Sequence, residues 1–203
     1  FGAVPKVMPW LHVPAQSGAD TVLRRMKRTY TGDQYREVVG WARAHIRDVE
    51  ITSDFIVGFP GETDAEFDLT LRLLEDVRPV QAYIFKYSVR PNTLAARTLD
   101  DDVPEPTKKA RNLILLEAQD RIAQGANDAL VGREVEVLLD APSKTDPTRL
   151  TGRTPGNRIV HVRTRSEHAG RLARVRIDDA TAHSLRGTPL AVEPFPRAWT
   201  TGR

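Results

Sequence analysis

The sequence predicts an α/β unit followed by a small all-β barrel, and three observations carry that prediction. Residues 10–105 alternate short apolar runs with stretches of helical periodicity, the pattern of a parallel sheet with crossover helices. One long helical stretch follows Pro104-Glu105-Pro106. Beyond Gly132 the helical period disappears, and five short alternating segments with polar turns fall within about 65 residues. Five such strands read as a small OB-like barrel, an architecture that oligonucleotide binders use. The change of character lies between residues 128 and 133, so the domains are read as 1–130 and 131–203.

The first strand candidate, Leu11 to Gln16, is bent by Pro14 and ended by Ser17-Gly18. In the next helix Ser17 and Asp20 have capping spacing. Val22, Leu23, Met26 and Tyr30 recur on one face, and Arg24, Arg25, Lys27 and Arg28 occupy the other. After the Thr31-Gly32 turn a second helix begins near Asp33, with Tyr35, Val38, Val39, Ala42 and Ile46 at helical spacing. Glu50 to Phe59 is the second strand, and its Phe55-Ile56-Val57 run suits a strand covered on both faces. Pro60-Gly61 stops it. Thr63 and Glu66 then form a capping box for a helix burying Phe67, Leu71 and Leu74, and Ala82 to Val89 is the third strand. All three strands end in polar loops at one edge of the sheet, the edge where ligands bind in open sheets and barrels. Along the long helix Ala110, Ile114, Ala118, Ile122, Ala126 and Leu130 recur every four residues as a packing stripe. The barrel segments are Val135 to Leu139, Leu150 to Arg153, Ile159 to Val162, Leu172 to Ile177 and Leu190 to Val192.

Composition excludes several classes. With 40% hydrophobic and 28% charged residues the chain is neither disordered nor collagenous, and no apolar run approaches the roughly 18 to 20 residues that span a bilayer. Its 203 residues include no cysteine, which removes disulfides, thiolate zinc sites, a catalytic thiol and any iron–sulfur cluster held by this chain's own thiolates. The opening FGAVPKVMPW lacks the layout of a secretory signal, and the chain reads as a cytoplasmic piece of something longer. The net charge of +3 is uneven. Residues 1–130 hold 17 Lys+Arg against 19 Asp+Glu, and residues 131–203 hold 13 against 8, twelve of the thirteen being arginine. The planar guanidinium fork suits phosphate and base contacts, so the tail points to nucleic acid. His12 lies in a strand and His161, His168 and His183 lack ligand spacing, so no metal ligand set is assigned, and no catalytic residue either.

Three strand-end segments carry more than fold grammar. His12-Val13-Pro14-Ala15-Gln16-Ser17-Gly18 brings an amide and a hydroxyl to a strand end. In Asp54 to Thr63 (DFIVGFPGET), Gly58 lets backbone groups approach a ligand. In Tyr87-Ser88-Val89-Arg90-Pro91-Asn92-Thr93, Arg90 is suited to clamp a carboxylate or phosphate. In this order and spacing, HVPAQSG, TSDFIVGFPGET and YSVRPNTLAA closely resemble the second half of the barrel of the radical S-adenosylmethionine methylthiotransferases. DDVPEPTKKARNLILLEAQDRI resembles the helix leaving that barrel, and Val131 to Pro189, with Leu150-Thr151-Gly152-Arg153, resembles the family's RNA-binding TRAM domain. Gln16-Ser17-Gly18 and Arg90-Pro91 fit the members that modify tRNA rather than those that modify a ribosomal protein. Asn92 stands where those members have glycine, and asparagine tolerates the positive φ of such a turn.

The resemblance implies a partial radical SAM (β/α) barrel and, for the intact protein, S-adenosyl-L-methionine with two 4Fe-4S clusters ligated outside this chain. One cluster sits in a CxxxCxxC loop and generates a 5′-deoxyadenosyl radical that abstracts hydrogen from C2 of an N6-isopentenylated adenosine beside the anticodon. The second supplies sulfur. The chain alone is then expected to be inactive and monomeric, with tRNA and an electron-donor protein as partners of the intact enzyme. Its own expected contributions are Gln16 and Ser17 to ribose or methionine contacts, Val57 and Phe59 to packing on adenine, and Ser88 and Arg90 to the cofactor or the substrate phosphate. Arg153, Arg158 and Arg163 are expected to contact RNA phosphates. The rival readings are a methylthiotransferase acting on ribosomal protein S12 and a stand-alone, non-catalytic RNA-binding module.

Overall fold

A three-stranded parallel sheet and a closed five-stranded barrel contain all the named strands among the described residues of the computed structural model, which are 4, 7–143 and 146–193. Residue contacts divide the chain into units 1–123 and 124–203.

In the first unit β1 (Trp10–His12), β2 (Glu50–Val57) and β3 (Gln81–Lys86) lie side by side in that order, all parallel, with Leu11 opposite Ile51 and Phe55 opposite Ile84. β1 is shorter than expected because Pro14 offers no N–H to the ladder, and only Gln16 rejoins it, bridging to Phe55. Helices α1 (Asp20–Arg25) and α2 (Gly32–His45) connect β1 to β2, and α3 (Asp64–Val77) connects β2 to β3. Next come the short α4 (Leu94–Thr98), which has no apolar period in the sequence, and the long α5 (Glu105–Asp128). The core lies on the helix side of the sheet, where Ile51, Phe55 and Val57 pack with Tyr35, Val39, Leu73, Leu74 and Leu115. The other side is more open, with Tyr83 and Phe85 about half exposed and Ile56 half-buried. β2 is therefore not covered on both faces as its apolar run suggests.

Helix starts follow local hydrogen bonding. Thr63 and Glu66 form the expected capping box on α3, and Thr31 and Gln34 form another on α2. Ser17 does not cap α1. The N-cap is Ala19, and the Ser17 hydroxyl instead pairs with Thr70 Oγ1 at 3.1 Å and accepts from the Ala19 amide at 3.2 Å. On α3 the buried side chains are Phe67, Thr70, Leu73, Leu74 and Val77, with Leu71 only half-buried. The stripe on α5 also shifts. Leu115, Ala118, Ile122 and Ala123 are buried, whereas Ala110 and Ile114 are exposed. A strict spacing of four advances about 40° per step around a 3.6-residue helix, so it winds off the packed face.

In the second unit β4 (Glu134–Pro142), β5 (Arg149–Arg153), β6 (Ile159–Arg163), β7 (Leu172–Ala180) and β8 (Leu185–Val192) close a barrel in the order β4-β5-β6-β8-β7. All pairs are antiparallel except β6 with β8. Alternate residues point inward, and Val137, Leu139, Leu150, Val160, Val162, Val175, Ile177 and Leu185 fill the interior. Gly152 sits among them because a Cβ there falls 2.5 Å from Val137 Cγ1 and 2.6 Å from the Leu138 carbonyl oxygen. Asn127, near the end of α5, donates to the carbonyl oxygen of Thr181 at 2.7 Å, seating that last turn against the β7–β8 connection.

Candidate ligand cavity and nucleic-acid interface

The C-terminal ends of the parallel strands border a cavity of about 490 Å³, a volume suited to a small molecule. Ile56, Phe59, Phe85 and Tyr87 give it apolar walls, and Gln16, Asp54 and Ser88 give it neutral and acidic polar groups. Phe59 and Tyr87 meet edge to face at 5.0 Å. Four of the six residues expected at a ligand, Gln16, Phe59, Ser88 and Arg90, line this one space. Ser17 and Val57 do not, and both are fully buried behind it. Ser17 is engaged by Thr70, as above, and Val57 follows the two-residue alternation of β2 onto the helix side with Phe55. The same alternation sends Asp54 and Ile56 toward the cavity. Asp54 was legible only as a carboxylate set in an apolar strand, and its Oδ2 lies 3.4 Å from His12 Nε2.

The strap from Val13 to Gly18 is held from the helix side. Tyr35 donates from its hydroxyl to the Val13 carbonyl at 2.6 Å and shares a hydrogen bond with Ser53 at 2.9 Å. Tyr30 donates to the Pro14 carbonyl at 3.1 Å, and the Ala15 amide donates to Ser53 Oγ at 3.1 Å. Burial pushes the Tyr35 hydroxyl up to about 12, so it remains protonated across the physiological range. Gln16 itself adopts φ +66°, with its amide on the Asp54 carbonyl at 2.8 Å and its carbonyl accepting from Ile56 at 2.9 Å. That left-handed backbone costs about 1 kcal/mol for a residue with a Cβ, and the surrounding hydrogen bonds hold it.

The loop after β2 is clamped by α5. Glu62, with no exposed side-chain surface, accepts from the Gly58 amide at 2.7 Å and from Arg111 Nη1 at 2.9 Å, and Arg111 Nη2 reaches Asp64 at 2.7 Å. Burial pushes the Glu62 carboxyl up, against the pull of the Gly58 amide and Arg111. Gly58, expected to admit a ligand to the backbone, admits Lys108 instead, since a Cβ there falls 2.3 Å from Lys108 Cγ. The Lys108 ammonium pairs with Asp101 at 2.5 Å and sits 5.4 Å from the Tyr87 ring centre. In the third loop Asn92 takes φ +69°, the conformation expected of the glycine it stands for.

On the barrel, Arg153 and Arg163 are exposed on the outer face of the β5–β6 pair, toward opposite ends of it, because Arg153 opposes Ile159 and Arg163 opposes Arg149. Arg153 donates to the Asn157 carbonyl at 3.0 Å. Arg158 does not join them. It is half-buried and bonded to the Asn127 side chain, so it anchors the end of α5 to the barrel. Between Arg149 and Arg186, His161 has its imidazole pushed below the usual range by burial and then by those two cations.

Residues 4–74 match the Radical SAM superfamily and residues 128–190 match the TRAM domain. The chain is 46% identical over 198 residues to the tRNA-2-methylthio-N(6)-dimethylallyladenosine synthase of Rhodopirellula baltica, covering 94% of this chain and 41% of that protein. It is 45% identical over 193 residues to the synthase of that name from Acidithiobacillus ferrooxidans, covering 95% and 43%. The Symbiobacterium thermophilum synthase is 45% identical over 182 residues, covering 90% and 38%. The chain thus spans about two fifths of the length of the curated relatives it matches.

Proposed function

We propose that this member of the radical SAM methylthiotransferase family forms one wall of the cofactor site and the RNA-binding part of a tRNA methylthiotransferase, the intact enzyme adding a methylthio group to C2 of N6-isopentenyladenosine beside the anticodon. The observation that carries the reading is the convergence of Gln16, Phe59, Ser88 and Arg90, from three separated strand ends, on one cavity. The parallel sheet with its helix-covered face is then part of a (β/α) barrel, and residues 131–203 form the RNA-binding domain.

The cavity fits S-adenosyl-L-methionine in the chemistry of its lining. Ile56, Phe59 and Tyr87 offer flat apolar surface to an adenine, and Gln16, Asp54 and Ser88 offer partners to hydroxyl and ammonium groups. Once bound at a 4Fe-4S cluster, the cofactor supplies the radical that removes hydrogen from the target base. This chain has no thiolate, so both clusters are ligated outside it. Its own residues bind and orient. The strap tied by Tyr35, Tyr30 and Ser53 fixes where the Gln16 amide stands, and the Glu62–Arg111 clamp fixes Phe59. Ile56, Phe59, Phe85 and Tyr87 supply the apolar part of a lining that also holds Asp54 and the cations Arg25, Lys27, Arg28, Lys86 and Arg90. Arg153 and Arg163 contact RNA phosphates, with an electron-donor protein as the second partner. No helix among the described residues is long and apolar enough to cross a membrane. The proposal includes a monomeric enzyme of the cytoplasm.

The test is deletion of the gene in its host followed by mass spectrometry of tRNA nucleosides. N6-isopentenyladenosine should accumulate without its methylthio derivative. Unchanged methylthiolation of tRNA, with loss of the modification from a ribosomal protein instead, would overturn the assignment.

A further inference from the structure

Helix α1 ends in a turn that holds a lysine in the left-handed region. Lys27 donates its amide to the Arg24 carbonyl at 3.0 Å and Arg28 donates to the Leu23 carbonyl at 2.9 Å, the paired bonds of a helix stop that favours glycine at the first residue past the cap. Lys27 occupies that position at φ +58°. A helix C-terminus attracts cations, which accounts for Arg24. It does not account for a lysine held in the left-handed region where glycine adopts the turn without strain.

Lys27 and Arg28 border the cavity described above, and Lys27 and Arg24 border a second cleft of about 650 Å³ between α1 and α4. The two spaces adjoin, since Arg25, Lys27, Leu94 and Ala95 line both. Arg25 is neutralised by Glu66 at 3.0 Å, but Arg24, Lys27 and Arg28 have no carboxylate partner among the described residues. S-adenosyl-L-methionine carries one carboxylate against an ammonium and a sulfonium, so it can engage at most one of these three cations and leaves the others without an anion. They match a polyanion.

We infer that Arg24, Lys27 and Arg28 grip the phosphodiester backbone of single-stranded RNA, the chain running along the cleft between α1 and α4 beside the cofactor cavity. The inference rests on the RNA reading above and adds a second contact surface, distinct from the barrel. Each cation that neutralises a phosphate of a single strand contributes about 0.7 to the slope of log affinity against log salt.

The experiment is a fluorescence-anisotropy titration of the 203-residue chain with a synthetic anticodon stem-loop RNA over a range of salt concentrations. The combined Arg24→Gln, Lys27→Gln, Arg28→Gln variant should lower the slope by roughly 2 and weaken binding roughly tenfold or more at low salt. Its melting temperature serves as the folding control. Lys27→Gly supplies the second arm. Relief of the left-handed strain offsets the added chain entropy of glycine, so this variant should melt no lower than wild type and yet bind RNA more weakly. Salt-dependent binding by wild type, with affinity and slope unchanged in both variants, would overturn the inference and leave the RNA reading standing. An absence of binding by wild type at low salt would overturn both.

Discussion

Four arginines of the barrel and three cations at the end of α1 are handled in opposite ways. On the barrel Arg149 faces Asp146, Arg174 faces Glu134, Arg176 faces Asp178 and Arg186 faces Asp179, at 2.9 to 3.4 Å. At α1, Arg24, Lys27 and Arg28 stand beside two clefts with no such partner among the described residues. Charge counted by segment points the other way, since residues 1–130 hold an excess of acid and residues 131–203 an excess of base. A segment total averages over carboxylates that lie elsewhere in space, and what a phosphate meets is the local field. The acid of the first unit is partly turned inward, as Glu62 is, or committed to a cap, as Glu66 is.

Substitutions that treat the two kinds of charge separately can sharpen that contrast or break it. The largest effect is expected for Arg111→Ala, which strands the buried Glu62 carboxylate and should cost about 3–5 kcal/mol in denaturant unfolding. A loss below 1 kcal/mol would mean that the clamp is as dispensable as a surface pair. Tyr35→Phe removes the hydroxyl that ties Val13 to Ser53 and should cost about 1–3 kcal/mol, with looser amide exchange in the strap from Val13 to Gly18.

Glu66 offers a pH signature. Against the upward push of burial, hydrogen bonds from Arg25, Thr21 and the Thr63 amide hold its carboxyl down to about 2, from an ordinary 4.5. Its contribution to stability is therefore fully present above pH 4.5 and is lost as pH falls toward 2. Wild type should melt above Glu66→Gln at pH 7, and the gap should close over that interval. A gap independent of pH would remove the ion pair from the explanation. The smallest effect is expected for Arg186→Ala, whose exposed pair with Asp179 should contribute no more than about 0.5 kcal/mol in the same unfolding measurement.

Much of the architecture was legible because it is written in periods. All five barrel segments appear as strands, the Thr63–Glu66 box forms, and the strand ends gather Gln16, Phe59, Ser88 and Arg90 at one cavity. What stayed hidden depends on partners distant in sequence. Ser17 has capping spacing to Asp20, but Thr70, 53 residues away, takes its hydroxyl. Arg158 reads as a surface cation until Asn127, 31 residues earlier, engages it. Lys108 and Arg111 look like the polar face of α5, yet carboxylates in the loops at Asp101 and Glu62 make burial tolerable for both. Val57 and Ile56 exchange roles by one position, a distinction that no apolar run of three can express.

The parallel pairing of β6 with β8 constrains how the barrel is made. β8 is the final described strand, and it bonds to β7 along one side and to β6 along the other. Until it docks, β4, β5, β6 and β7 form an open ribbon with two unsatisfied edges, each a template for another extended chain. Closure thus waits until Leu185–Val192 has been made, and a chain stopped before Leu185 would carry those edges exposed. Docking of β8 is the event that converts a sheet with two open edges into a barrel with none.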